Sequence, residues 1–86
     1  MTREQIEEFV DEYTGGDPEE KVLLADGLDE AFIGLTSTNI RAVYSIDKII
    51  ECLSKDMSEE DAWEYFHYNI ECAYVGEKTP LYIKTP

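Results

Sequence analysis

Three carboxylates crowd one short stretch of this chain. Asp26, Asp29 and Glu30 flank Gly27-Leu28, just ahead of an apolar run. Oxygen ligands of this kind suit a hard cation such as Mg²⁺, and paired carboxylates can also do general acid/base work. The spacing is not that of an EF-hand loop, which alternates oxygen ligands and closes on a distal Glu. A solvated acidic turn explains the same residues more simply, with Asp26 and Asp29 accepting from nearby backbone N–H groups.

His67, Asn69 and Glu71 form a second set, at helical spacing near Trp63. Glu71 lies one turn from His67 and can hold its imidazole. No Ser or Cys nucleophile stands near enough in sequence to suggest a triad, so a structural or surface histidine is the preferred reading. Asn69 is a weak helix former at an interior helical position. Its amide is expected to have a specific partner, either backbone near a hairpin or a binding site. Cys52 and Cys72 have no metal-type spacing and are expected to be free, buried thiols. The sequence holds no Gly-rich phosphate loop, HExxH, CxxC or GxSxG. It implies no cofactor and favours a non-enzymatic role.

The third feature is charge. Twenty Asp and Glu stand against seven Lys and Arg, a formal net charge of −13. Residues 1–30 hold eleven acids and two bases, a net of −9, and the remaining nine acids and five bases give −4. Such a field opposes direct binding of nucleic acid or an anionic membrane. It suits a basic protein partner, a cation, or plain solubility. Glu4, Glu7, Glu8, Asp11 and Glu12 are the candidate partner-binding acids, and Tyr65 and Tyr68 are candidate aromatic anchors.

The elements that must position these residues are legible from caps and periodicity. Thr2 and Gln5 make a capping box. Ile6, Phe9, Val10 and Tyr13 then repeat at i, i+3, i+4, i+7, and Gly15-Gly16 ends the helix. Asp17-Pro18-Glu19-Glu20 reads as a second helix start, with Val22–Ala25 forming a short helix that ends near Gly27. Residues 31–36 and 40–44 read as a β-hairpin about Ser37-Thr38-Asn39. Gly34 marks a bulge or a close aromatic contact. Ser45 caps a helix with a stripe of Ile46, Ile49, Ile50 and Leu53. Ser58 caps the last helix, where Trp63, Phe66, Ile70 and Ala73 or Tyr74 share one face and Gly76 ends it. Leu81–Lys84 is a third strand, at a sheet edge or beside the hairpin.

Eighty-six residues allow one domain, 1–86. The expected fold is α+β: three to four helices packed on a small antiparallel sheet of hairpin plus C-terminal strand. A chain this small buries only about 60–65% of its unfolded surface. It leaves little room for a deep cleft, so a function that needs only an outer surface fits best. No apolar signal segment or membrane-length run is present, and a cytoplasmic location is expected.

Residues 24–34, 42–48, 57–66 and 69–80 resemble a family of small uncharacterised proteins of bacteriophages and the prokaryotes they infect. The likeness spans roughly residues 22–84 and leaves the first helix outside. It implies an origin and carries no activity. Carboxylate rows can imitate the phosphates of a duplex. The leading expectation is therefore an acidic protein-binding module, a phage-encoded inhibitor that occludes the basic nucleic-acid-binding surface of a host defence protein. The alternatives are a cation-binding or metal-assisted enzyme using Asp26, Asp29 and Glu30, and an accessory protein that forms homodimers through its tyrosines.

Overall fold

The computed structural model describes residues 1–25, 27–73 and 76–85. Helix α1 spans Arg3–Thr14 and closes as its caps require. Thr2 Oγ1 accepts from the Gln5 N–H at 3.2 Å, and Gln5 Oε1 accepts from the Thr2 N–H at 2.9 Å. Gly15 leaves the helix at φ 69°, a left-handed conformation that costs glycine little.

The second expected helix does not form. Asp17 does build its start signal, with Oδ1 accepting from the Glu19 N–H at 2.9 Å. Beyond that single turn, residues 21–25 hold no regular secondary structure. Only a handful of residues separate this turn from Gly27, too few to repay helix nucleation. The Ala25 N–H is instead given to Tyr44 Oη at 2.9 Å. Val22, Leu24 and Ala25 pack on the core from this extended segment.

A 3₁₀ turn, Asp29–Ala31, leads into β1, Phe32–Leu35, which pairs antiparallel with β2, Ala42–Ser45. The register slips between Phe32 and Gly34, so Ile33 is the extra residue of a β-bulge. A Cβ at Gly34 would meet nothing within 4 Å, so Gly34 marks the bulge and not a close aromatic contact. Helix α2, Ile46–Leu53, follows under its Ser45 cap, and α3, Glu59–Tyr65, under Ser58. α3 then widens into a π-helical turn, Phe66–Glu71.

The last strand, β3 (Leu81–Ile83), lies at the sheet edge and runs parallel to β2. The sheet is therefore mixed, not antiparallel throughout. Parallel neighbours need a long crossover, and the stretch holding α2 and α3 supplies it.

Ile6, Ala42, Tyr44, Ile49, Ala62 and Phe66 are fully buried. A file of rings crosses this core from α1 to α3. Phe9 meets Phe32 at 6.1 Å, Phe32 meets Tyr44 at 5.7 Å, and Tyr44 meets Tyr82 at 6.0 Å. Tyr82 then meets Phe66 at 5.6 Å, and Phe66 meets Trp63 at 6.2 Å. All but the tilted Tyr44–Tyr82 pair meet edge to face, and such pairs contribute about 0.5–1.5 kcal/mol each beyond their buried area.

Candidate functional site

α1 gives the core one fully buried side chain, Ile6. Val10 packs partly, while Phe9 and Tyr13 are 41% and 51% exposed, so the expected apolar stripe is only half covered. At 100° per residue, Glu4, Glu7, Glu8, Asp11 and Glu12 fall on the arc opposite Ile6, and all five are exposed. Glu7 lies 3.5 Å from Arg3 Nε. Glu4–Glu8, Glu8–Glu12 and Glu7–Asp11 stand at i,i+4, where like charges each cost about 0.2–0.5 kcal/mol. The helix carries that repulsion on its solvent side, with Arg3 beside Glu7 offsetting part of it.

The turn acids have separate cationic partners. Asp29 Oδ1 accepts from Arg3 Nη1 at 3.5 Å. Glu30 Oε2 accepts from Lys55 Nζ at 3.4 Å and from Cys52 Sγ at 3.5 Å. The thiol bond, then Lys55, hold the Glu30 carboxyl below its ordinary range. Burial, then Glu30, push the Cys52 thiol up. Asp26 lies outside the described residues. Among the described residues, no group of three or more His, Cys, Asp and Glu is arranged to hold a metal.

His67 Nδ1 sits 3.0 Å from Glu71 Oε1, and its ring stacks on Trp63 at 5.8 Å. The histidine is thus held by the two neighbours expected one turn away, at the surface. Cys52 and Cys72 are both free, but Cys72 is exposed and Cys52 half-buried, so neither is the enclosed thiol expected. Cys72 directly follows the π turn, where the regular helical stripe has ended.

The π turn opens a feature that the sequence did not reveal. A groove of about 650 Å³ separates Leu23–Ala25 and Gly27-Leu28 from the π turn. Its buried lining includes Leu28 and Pro80, and Tyr82 is half-buried against it. Burial raises the Tyr82 phenol above its usual range, and Tyr44 adds to the shift. Tyr65 and Asn69 line the groove from the exposed side. The volume lies within the range of small-ligand and side-chain pockets, about 300–1,000 Å³, and π turns recur at functional sites. Tyr68, 79% exposed, lies outside the groove lining.

A second groove, about 550 Å³, runs beside α1 and is lined by Glu7, Asp11 and Glu20 with Arg3 and Lys21. Leu23 and Leu24 line both grooves, so the extended segment is the ridge between them. The sequence signal for this ridge was Val22–Ala25 itself, a wholly apolar run too short for a helix. Asn69 lies within the π turn, but the specific side-chain partner expected for its amide is not found among the described residues. Tyr65 thus joins the apolar groove, while of the five α1 acids Glu7 and Asp11 line the groove beyond the ridge.

No family model, curated protein or solved structure matches the chain. No helix among the described residues is long and apolar enough to cross a membrane.

Proposed function

We propose that this chain is a non-enzymatic protein-binding module that engages a basic partner surface through α1. The observation that carries the reading is the arc of five exposed carboxylates set opposite Ile6. Nothing in the packing requires charge there, and the repulsion costs the helix stability. The partner supplies lysines or arginines that relieve it. Phe9 and Tyr13, half-exposed on the Ile6 side of the same helix, offer aromatic contact at the edge of that surface, of the kind that anchors interfaces. In its finer form, suggested by the resemblance to phage proteins, the module is an inhibitor that covers the nucleic-acid-binding surface of a host defence protein.

Affinity capture from a host lysate over rising salt tests this. The expected catch is a basic protein that elutes as ionic strength rises, because screening weakens exposed charge pairs. The catch should vanish when Glu4, Glu7, Glu8 and Glu12 become Gln and Asp11 becomes Asn. A partner that is not basic, or one held equally by this variant, would falsify the proposal.

A further inference from the structure

We infer that the apolar groove between the extended segment and the π turn is the second half of the same docking surface. Its occupant is the apolar side of a basic amphipathic segment of the partner protein. This rests on the reading of α1 as the basic-partner face and adds what that reading leaves open, the chemistry of the bound segment.

Charge alone specifies little, since an acidic helix attracts any cation. The structure joins the groove beside α1, of mixed charge, to the apolar one across a single ridge, Leu23-Leu24, which borders both. On the α1 side, Glu7, Asp11 and Glu20 face Arg3 and Lys21. Arg3 is shared between Glu7 and Asp29, and Glu20 is held by Lys78 at 3.0 Å. Glu4, Glu8 and Glu12 extend the negative field beyond that groove on the same helix. On the other side of the ridge, Leu28, Ile70 and Pro80 give the groove an apolar lining.

Leu23 is 38% exposed although it sits among packed residues, so part of the ridge is open to cover. The Asn69 amide makes no side-chain hydrogen bond among the described residues and borders the groove, where it can fix a partner backbone. A segment with Lys or Arg on one side and Leu or Ile on the other satisfies both halves together. Helix-in-groove recognition works in this way, with apolar anchors giving affinity and flanking charge giving register.

Two lysine-matched helical peptides test the inference, one bearing leucines along one side and the other serines in their place. Each is titrated into ¹⁵N-labelled protein at physiological ionic strength. The leucine peptide should bind about tenfold tighter or more. It should shift amides on α1 and also those of Leu24, Gly27 and Asn69, whereas the serine peptide should shift α1 alone. Tyr65→Ser, at an exposed position that lines the apolar groove and not the one beside α1, should bring the leucine peptide down toward the affinity of the serine peptide. Equal affinities with shifts confined to α1 would overturn the groove and spare the acidic face. No binding of either peptide would overturn both.

Discussion

Tyr44, Phe66, Ile49 and Ala42 are wholly enclosed in the body of the fold, whereas α1, twelve residues long, encloses only Ile6. The body holds most of the packing, while residues 1–25 concentrate in a shorter stretch, at a net of −6, as much negative charge as residues 28–85 spread over more than twice the length. Residues 28–85 bury a sheet, two helices and most of the ring file. Residues 1–25 contribute a capped helix and an extended ridge, tied to the body by Ile6, by the partly buried Val10, Val22, Leu24 and Ala25, by the Phe9–Phe32 contact and the Ala25–Tyr44 bond, and by the Arg3–Asp29 and Glu20–Lys78 ion pairs. The division teaches that surface charge on α1 can change widely without disturbing the core. It also exposes the small set of contacts on which the binding face depends.

The comparison breaks most severely at Phe66. Phe66→Ala removes a ring at the junction of α3 and β3 and should cost about 3–5 kcal/mol. That is a large fraction of the stability of a domain this small, and urea unfolding followed by circular dichroism should show the midpoint collapse. Ile6→Ala should cost about 2–5 kcal/mol, but locally. Amide exchange should rise across α1 while the amides of β2 and α2 stay protected, because weakly docked elements open below the global limit. Loss of protection everywhere at once would mean the two regions are one cooperative unit.

Tyr44→Phe sharpens the boundary between them. It removes the acceptor of the Ala25 N–H and should cost about 1–3 kcal/mol. The faster exchange should be confined to the extended segment. Glu8→Gln should act in the opposite direction, stabilising α1 by a few tenths of a kcal/mol as its i,i+4 repulsions disappear. A helicity that falls instead would mean Glu8 has an attractive partner.

The smallest effect concerns pH and belongs to the body. Lys84, with Thr85 also donating, holds the Asp47 carboxyl below its ordinary range. A carboxyl depressed on folding contributes stability that is present above its unfolded pKa, about 3.9. That stability is lost as pH falls through the lower folded value. Lys84→Met should therefore flatten the acid limb of stability between about pH 5 and pH 3. An unchanged limb would show that the exposed pair contributes nothing, as many surface pairs do.

Much of this division is legible in the sequence, for physical reasons. Thr2–Gln5, Ser45 and Ser58 announce their helices because side-chain capping is local chemistry, set by residues three apart. Gly34 stands beside the bulge, although neither a left-handed φ nor a close contact requires glycine there. The failures are those in which a distant partner decides. Asp17-Pro18 starts a turn correctly, but Tyr44 takes the Ala25 N–H and the segment stays extended. The direction of β3 is permitted by the long crossover that precedes it, and strand periodicity carries no information about it. The acids of α1 were visible as a cluster. The groove was not, because it is made by a π turn and an irregular ridge that meet only in the folded chain.

The central claim is that the site of the charge matters, and not its sum. Two variants of equal net charge test it directly. One carries Glu4, Glu7, Glu8 and Glu12→Gln with Asp11→Asn. The other carries Glu51, Glu60, Glu64 and Glu77→Gln with Asp56→Asn, all exposed positions on the body. Titration of the lysine-leucine peptide into both, at physiological ionic strength, should show binding lost in the first and kept in the second. Equal weakening of the two would contradict the account and leave the acidity of α1 as general solubilising charge.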